Sequence, residues 1–99
     1  MMDEINNINF EKVIEIFSSF KGSTDMEDLL KDVCTRKELE SLYQRFKVAQ
    51  MLRNGYTFIQ IAEKTGISST TITRVSKCLK NGEGYNKMFD KYNLSINLT

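Results

Sequence analysis

Apolar residues recur along this chain at helical spacing, with polar residues filling the gaps between them. Ile5, Ile8, Val13, Ile14, Phe17 and Phe20 make one stripe and predict an amphipathic first helix over residues 4–21, ended by Lys21, Gly22 and Ser23. So broad a stripe near a terminus must be covered, by the rest of the chain or by a partner subunit. Met26, Leu29, Leu30 and Val33 supply the buried side of a second helix that begins at Thr24, where Thr24 and Glu27 have capping-box spacing. Thr35 and Glu38 repeat that spacing and open the longest helix, residues 35–54. On it Leu39, Leu42, Tyr43, Phe46, Ala49 and Leu52 form one stripe. Leu39, Phe46 and Leu52 are expected in the core, whereas Val48 and Met51 widen the stripe and are expected at a subunit interface. Asn54 and Gly55 stop this helix. Tyr85, Met88, Phe89 and Tyr92 predict a last helix over residues 83–93, after a loop at 81–84. Leu94, Ile96 and Leu98 alternate in a tail, residues 94–99, which either docks on the body or stays disordered.

The stretch 57–79, TFIQIAEKTGISSTTITRVSKCL, organises the rest. Thr57 and Gln60 make a third capping box, Ile61 and Ala62 face inward, and Ala62 is small enough for a second helix to cross close by. Gly66 suits a backbone turn at positive φ, and Ile67 closes the turn. Ser68 caps the next helix, which Ile72, Val75 and Leu79 pin to the body. This is the pattern of a helix-turn-helix, whose second helix enters the DNA major groove; an ordinary helical hairpin is the alternative. The buried positions leave Ser69, Thr70, Thr73, Arg74 and Lys77 toward solvent. Hydroxyls and methyls at Ser68, Ser69, Thr70 and Thr73 suit base edges and thymine methyls, although they discriminate less than bidentate side chains do. Lys64, Lys77 and Lys80 suit phosphates.

Composition bears this out as an all-α chain. Its 99 residues make one domain (1–99), and no proline interrupts the helices. No apolar run approaches the roughly 18 residues of a membrane span, and the N-terminus lacks a secretion pattern, so a cytoplasmic location is expected. Two cysteines, Cys34 and Cys78, with no histidine, predict reduced thiols and neither a metal site nor a cofactor. Asp25, Glu27, Asp28 and Asp32 read as solvated, and nothing forms a catalytic cleft, so no enzyme is expected. Charge is uneven despite a net value of +1: residues 1–34 carry eight acidic and three basic side chains, residues 35–80 nine basic and three acidic. The basic half holds the helix-turn-helix, as a surface for double-stranded DNA requires.

LESLYQRFKVAQMLRNG followed by ISSTTITRVSKCLKNG, above all the run Thr71-Ile72-Thr73-Arg74 with Leu79-Lys80, resembles the Trp repressor family, and more closely its YerC/YecD-type relatives. The resemblance implies six helices in an intertwined homodimer. Residues 1–34 would serve dimerisation and residues 35–80 the long helix and reading head. It also implies an effector pocket, to which Arg45 and Arg74 match as the arginines that sandwich an indole, and Thr35 as a threonine at its edge. Val75 stands where that pocket has a glycine, and Cys78 where it has a serine. A valine fills ligand space and the lost hydroxyl removes a polar partner, so tryptophan binding is not expected. Ile59 and Ala62 replace an arginine and a lysine that approach the operator, and Ser69 and Thr70 replace an isoleucine and an alanine, while Thr73 is retained. A different DNA target is implied. The expected function is a sequence-specific, homodimeric transcriptional repressor that does not respond to tryptophan. The alternatives are a helical protein-interaction module that no longer meets DNA, and a repressor controlled by another small molecule.

Overall fold

The computed structural model describes residues 7–98. Six helices and no strand occur among them: α1 (Asn7–Ser19), α2 (Ser23–Val33), α3 (Arg36–Arg53), α4 (Phe58–Thr65), α5 (Ser69–Asn81) and α6 (Gly84–Asp90). The expected first turn of the first helix, from residue 4, lies outside the described residues. The chain divides into two compact units, Met1–Lys37 and Glu38–Thr99. No helix among the described residues is long and apolar enough to cross a membrane.

The first unit holds α1 and α2. Gly22 turns the chain between them at φ 84°, a conformation glycine adopts without steric cost. This changes the expected start of α2. Gly22 takes the cap position and no side chain caps the helix, so Thr24 already lies within it and makes no capping box with Glu27. Glu27 instead pairs with Lys31 one turn on, at 2.8 Å. The expected buried side of α2 is only partly covered: none of its residues is buried, and Val33 is exposed. On α1, Val13, Ile14, Ile16 and Phe17 are all exposed, as is Phe20 just beyond it.

Among the described residues, the buried side chains all lie in the second unit: Val48, Ala49, Met51, Ile61, Ile67, Ile72, Val75 and Phe89. Val48 and Met51, expected at a subunit interface, are therefore core, at 0% and 3% exposure. Phe46, expected in the core, is 37% exposed and sets its ring edge against Tyr85 at 6.1 Å between centroids. Leu39 and Leu52 are half-buried. The reason is rotational. The core gathers on the Val48–Met51 side of α3 together with residues of α4, α5 and α6, and that side is rotated by more than about 100° around the helix from Leu39, Tyr43 and Phe46. Each large side chain fully buried here contributes roughly 1.5–3 kcal/mol relative to exposure.

α3 ends in a Schellman motif. Gly55, at φ 92°, donates its N–H to the Leu52 carbonyl at 3.1 Å, and Tyr56 donates to Met51 at 3.0 Å. α6 is shorter than the expected 83–93. It stops at Asp90, and Tyr92 is exposed beyond it. Asn93 then takes a positive φ of 55°, which asparagine tolerates, and the tail runs back without regular secondary structure. The Leu94 N–H donates to the Met88 carbonyl at 3.0 Å, the Ile96 N–H to Gln50 Oε1 at 2.9 Å, and Leu98 packs on the core. Of the two outcomes open for the tail, it docks.

Candidate nucleic-acid interface

The α4–turn–α5 unit is held by short-range chemistry at each corner. At the start of α4, Gln60 N–H donates to Thr57 Oγ1 at 3.1 Å, and Thr57 N–H donates to Gln60 Oε1 at 2.9 Å. This is a complete capping box, as its spacing predicts. It takes up one lone pair on each side-chain oxygen and leaves the Thr57 hydroxyl proton and the Gln60 amide protons free to donate outward. At the turn, the Thr65 hydroxyl donates to the Ile61 carbonyl at 2.6 Å and accepts from the Ile67 N–H at 3.1 Å. Gly66 sits in the left-handed region at φ 73°. Ser68 then caps α5, its Oγ accepting from the Thr71 N–H at 3.2 Å and donating to Thr71 Oγ1 at 3.1 Å. Ser68 is thus tied to the cap, although it remains exposed.

Helical geometry sorts α5 into two sides. Ile72 and Val75 are buried and Leu79 packs beside them. Ser69, Thr70, Thr73 and Lys77 are exposed, and at about 100° per residue they share one sector opposite the buried side. Lys64, near the end of α4, is exposed as well. The face therefore offers hydroxyl donors and acceptors beside methyl groups, with ammonium groups at its margins. That combination can meet base edges and phosphates together. Ile59 and Phe58 of α4 are exposed apolar residues, at 71% and 42%.

The residues proposed to form an effector pocket divide as follows. Thr35 is exposed and belongs to the first unit; Arg45, Arg74, Val75 and Cys78 belong to the second. Val75 is 1% exposed, its side chain built into the core. Cys78 is half-buried and is not in a disulfide. Arg45, Arg74 and Cys78 all act electrostatically on one group, the phenol of half-buried Tyr85. Burial raises that phenol above its ordinary pKa, Cys78 adds to the shift, and the two arginines oppose it. Tyr85, which these residues influence, is absent from the sequence-based pocket. Its spacing with Met88 and Phe89 marks it only as an apolar residue of the last helix, and no local signal ties it to Arg45, forty residues earlier. Among the described residues, no cluster of acidic, cysteine or histidine side chains could hold a metal ion.

Comparison with known proteins agrees with this architecture. Residues 9–93 match the family described as Trp repressor protein. The uncharacterized protein YerC of Bacillus subtilis (strain 168) is 36% identical over 92 residues, spanning 89% of this chain and 88% of that protein. A Trp operon repressor homolog of Xylella fastidiosa (strain M23) is 33% identical over 66 residues, 66% of this chain and 72% of that protein. The crystal structure of a TrpR-like protein from Eubacterium eligens ATCC 27750 matches with a TM-score of 0.81 at 38% identity, over 96% of this chain and 99% of that one. The chain belongs to the Trp repressor family, within its YerC-like group.

Proposed function

We propose that this protein is a transcriptional repressor that binds double-stranded DNA through α4 and α5, acts as a cytoplasmic homodimer and does not respond to tryptophan. One observation carries the reading: α5 presents Ser69, Thr70, Thr73 and Lys77 on a single exposed face, while Ile72 and Val75 anchor its other side. A family of transcription regulators, not of enzymes, supports it. The apolar residues left exposed on α1 support a second copy as their cover. Independence from tryptophan rests on three features together. Val75 is built into the core, Cys78 brings a thiol in place of a hydroxyl, and the Tyr85 ring already lies within electrostatic range of Arg45 and Arg74.

Selection of bound sequences from random duplex DNA, with and without tryptophan, tests the whole reading. A two-fold symmetric motif recovered equally in both arms is expected, with half-sites about one helical turn apart. A motif found only with tryptophan refutes ligand independence, and no enrichment in either arm refutes sequence-specific binding. Exposed Ile59 and Phe58 on α4 favour one rival, an interface for another protein. Salt separates the two, because phosphate contacts lose affinity steeply as salt rises and an apolar interface does not.

A further inference from the structure

An open groove with a volume of about 550 Å³ lies where α3 meets the turn of the reading head. Its volume falls within the ordinary range for small-molecule sites. Leu39, Tyr43 and Lys47 line it from α3, and Lys64 and Ile67 from the end of α4 and the turn. It is separate from the Arg45 side of α3. Arg45 is two residues from both Tyr43 and Lys47, so it points about 200° around the helix from each. Leu39, Tyr43 and Ile67 give the groove an apolar wall. Lys47 and Lys64 line it beside that wall, and Glu40 is the single acid among the lining residues. Glu40 has its own partner. No described residue forms an ion pair with Lys47 or Lys64, and Lys47 is half-buried. Two lysines without an ion-pair partner beside one apolar wall suit an anion that carries an apolar body.

We propose that this groove binds a small organic acid, with its carboxylate or phosphate between Lys47 and Lys64 and its apolar body against Leu39, Tyr43 and Ile67. The position of Lys64 gives such a ligand a consequence, which rests on the DNA-binding reading above. Lys64 then serves either the acid in the groove or a DNA phosphate, and an occupied groove weakens binding to DNA. The ligand is in this case an inhibitor of repression, acting on the opposite side of α3 from Arg45.

The site is tested without DNA, by recording backbone amide shifts of the full chain against four probes: phenylphosphate, phenylacetate, neutral phenylacetamide and inorganic phosphate. The two aromatic acids are expected to give saturable shifts confined to residues 39–47 and 64–67. Phenylacetamide and inorganic phosphate should bind at least about tenfold more weakly, since each lacks one half of the recognition. Lys47→Met should weaken the acids by about tenfold, and Tyr43→Ser should do so independently through the apolar wall. Shifts that fall elsewhere, equal binding of phenylacetamide, or undiminished binding by both variants overturns the site. If inorganic phosphate binds as tightly as phenylphosphate, the apolar wall has no role and the organic-acid assignment fails. Duplex DNA forms the second arm. Phenylphosphate should lower its affinity, and groove binding with unchanged DNA affinity overturns the regulatory consequence alone. If duplex DNA itself shifts Lys47 while no probe does, the groove serves a backbone phosphate and the proposal is wrong. Should the chain bind no DNA at all, the first arm still decides the site.

Discussion

Thr70 and Thr73 lie on the exposed face of α5, one turn apart by less than a single residue, with Ile72 buried between them. In the proposed complex their hydroxyls meet base edges. A neutral hydrogen bond contributes little to total affinity but discriminates between bases. Replacing each with alanine should therefore reduce preference among duplex sequences by about two- to tenfold, while affinity for non-specific duplex barely changes. Competition between the selected motif and scrambled duplex measures this, and full discrimination by both variants would remove the two threonines from the reading face. At this scale the sequence was most legible where the chemistry is local. The Thr57–Gln60 box, the left-handed Gly66 and the Ser68 cap each involve residues within three positions of one another, and the structure forms all three. Tyr85 was illegible for the converse reason. Its surroundings come from Phe46, Arg45, Arg74 and Cys78, brought together only by folding.

Elements are joined by contacts of the same long-range kind. α6 is fastened to α3 by Arg53, which donates to Asp90 through Nη2 at 2.6 Å and Nη1 at 3.1 Å, and through Nη1 to Asn86 Oδ1 at 3.1 Å. The same guanidinium lies 4.8 Å from the centre of the Phe89 ring. Its hydrogen bond holds the Asp90 carboxyl below the usual carboxylate range, and Asp90 in turn raises Arg53. Because the folded value is depressed, the pair stabilises the fold above the unfolded aspartate pKa of about 3.9, and that contribution disappears as pH falls through the folded value. Both partners are solvent-accessible, so the effect is small and sensitive to salt. Asp90→Asn should lower the melting temperature slightly at pH 7 and leave a shallower loss of stability between pH 5 and 2, whereas identical acid profiles would mean that the pair is silent. The partner of α3 was not legible either. Stripe counting pointed to Phe46 and away from Val48 and Met51, because a broad apolar helix has several faces and the core forms on only one of them. The predicted cap of α2 failed on a similar ambiguity. A threonine and a glutamate three apart fit a capping box, but Glu27 also stands four residues before Lys31, and Gly22 takes the cap position first.

For the whole molecule, the decisive feature is how little of the first unit is buried. Five large apolar side chains from Val13 to Phe20 are exposed, although their spacing marks a face that water alone should not cover. The sequence made that face legible on α1 and misplaced the exposed apolar side of α3, where Leu42 and Phe46 are exposed in place of Val48 and Met51. A two-fold dimer would satisfy α1 and also supply two reading heads to a symmetric site. In such an interface every substitution acts twice. If burying one large apolar side chain contributes roughly 1.5–3 kcal/mol, losing it from both copies should raise the dimer dissociation constant by at least about a hundredfold. Ile14→Asp and Phe17→Asp are the direct tests by sedimentation equilibrium. The unsubstituted chain is expected at twice its 11.5 kDa mass, and each variant at the monomer mass over the same concentration range. Circular dichroism at matched concentration shows whether the variants keep their helices, because the core of the second unit uses neither residue. A monomeric unsubstituted chain would refute the dimer outright. Dimeric variants would instead move the interface off α1, and the symmetric DNA site would then need another source of two-fold symmetry.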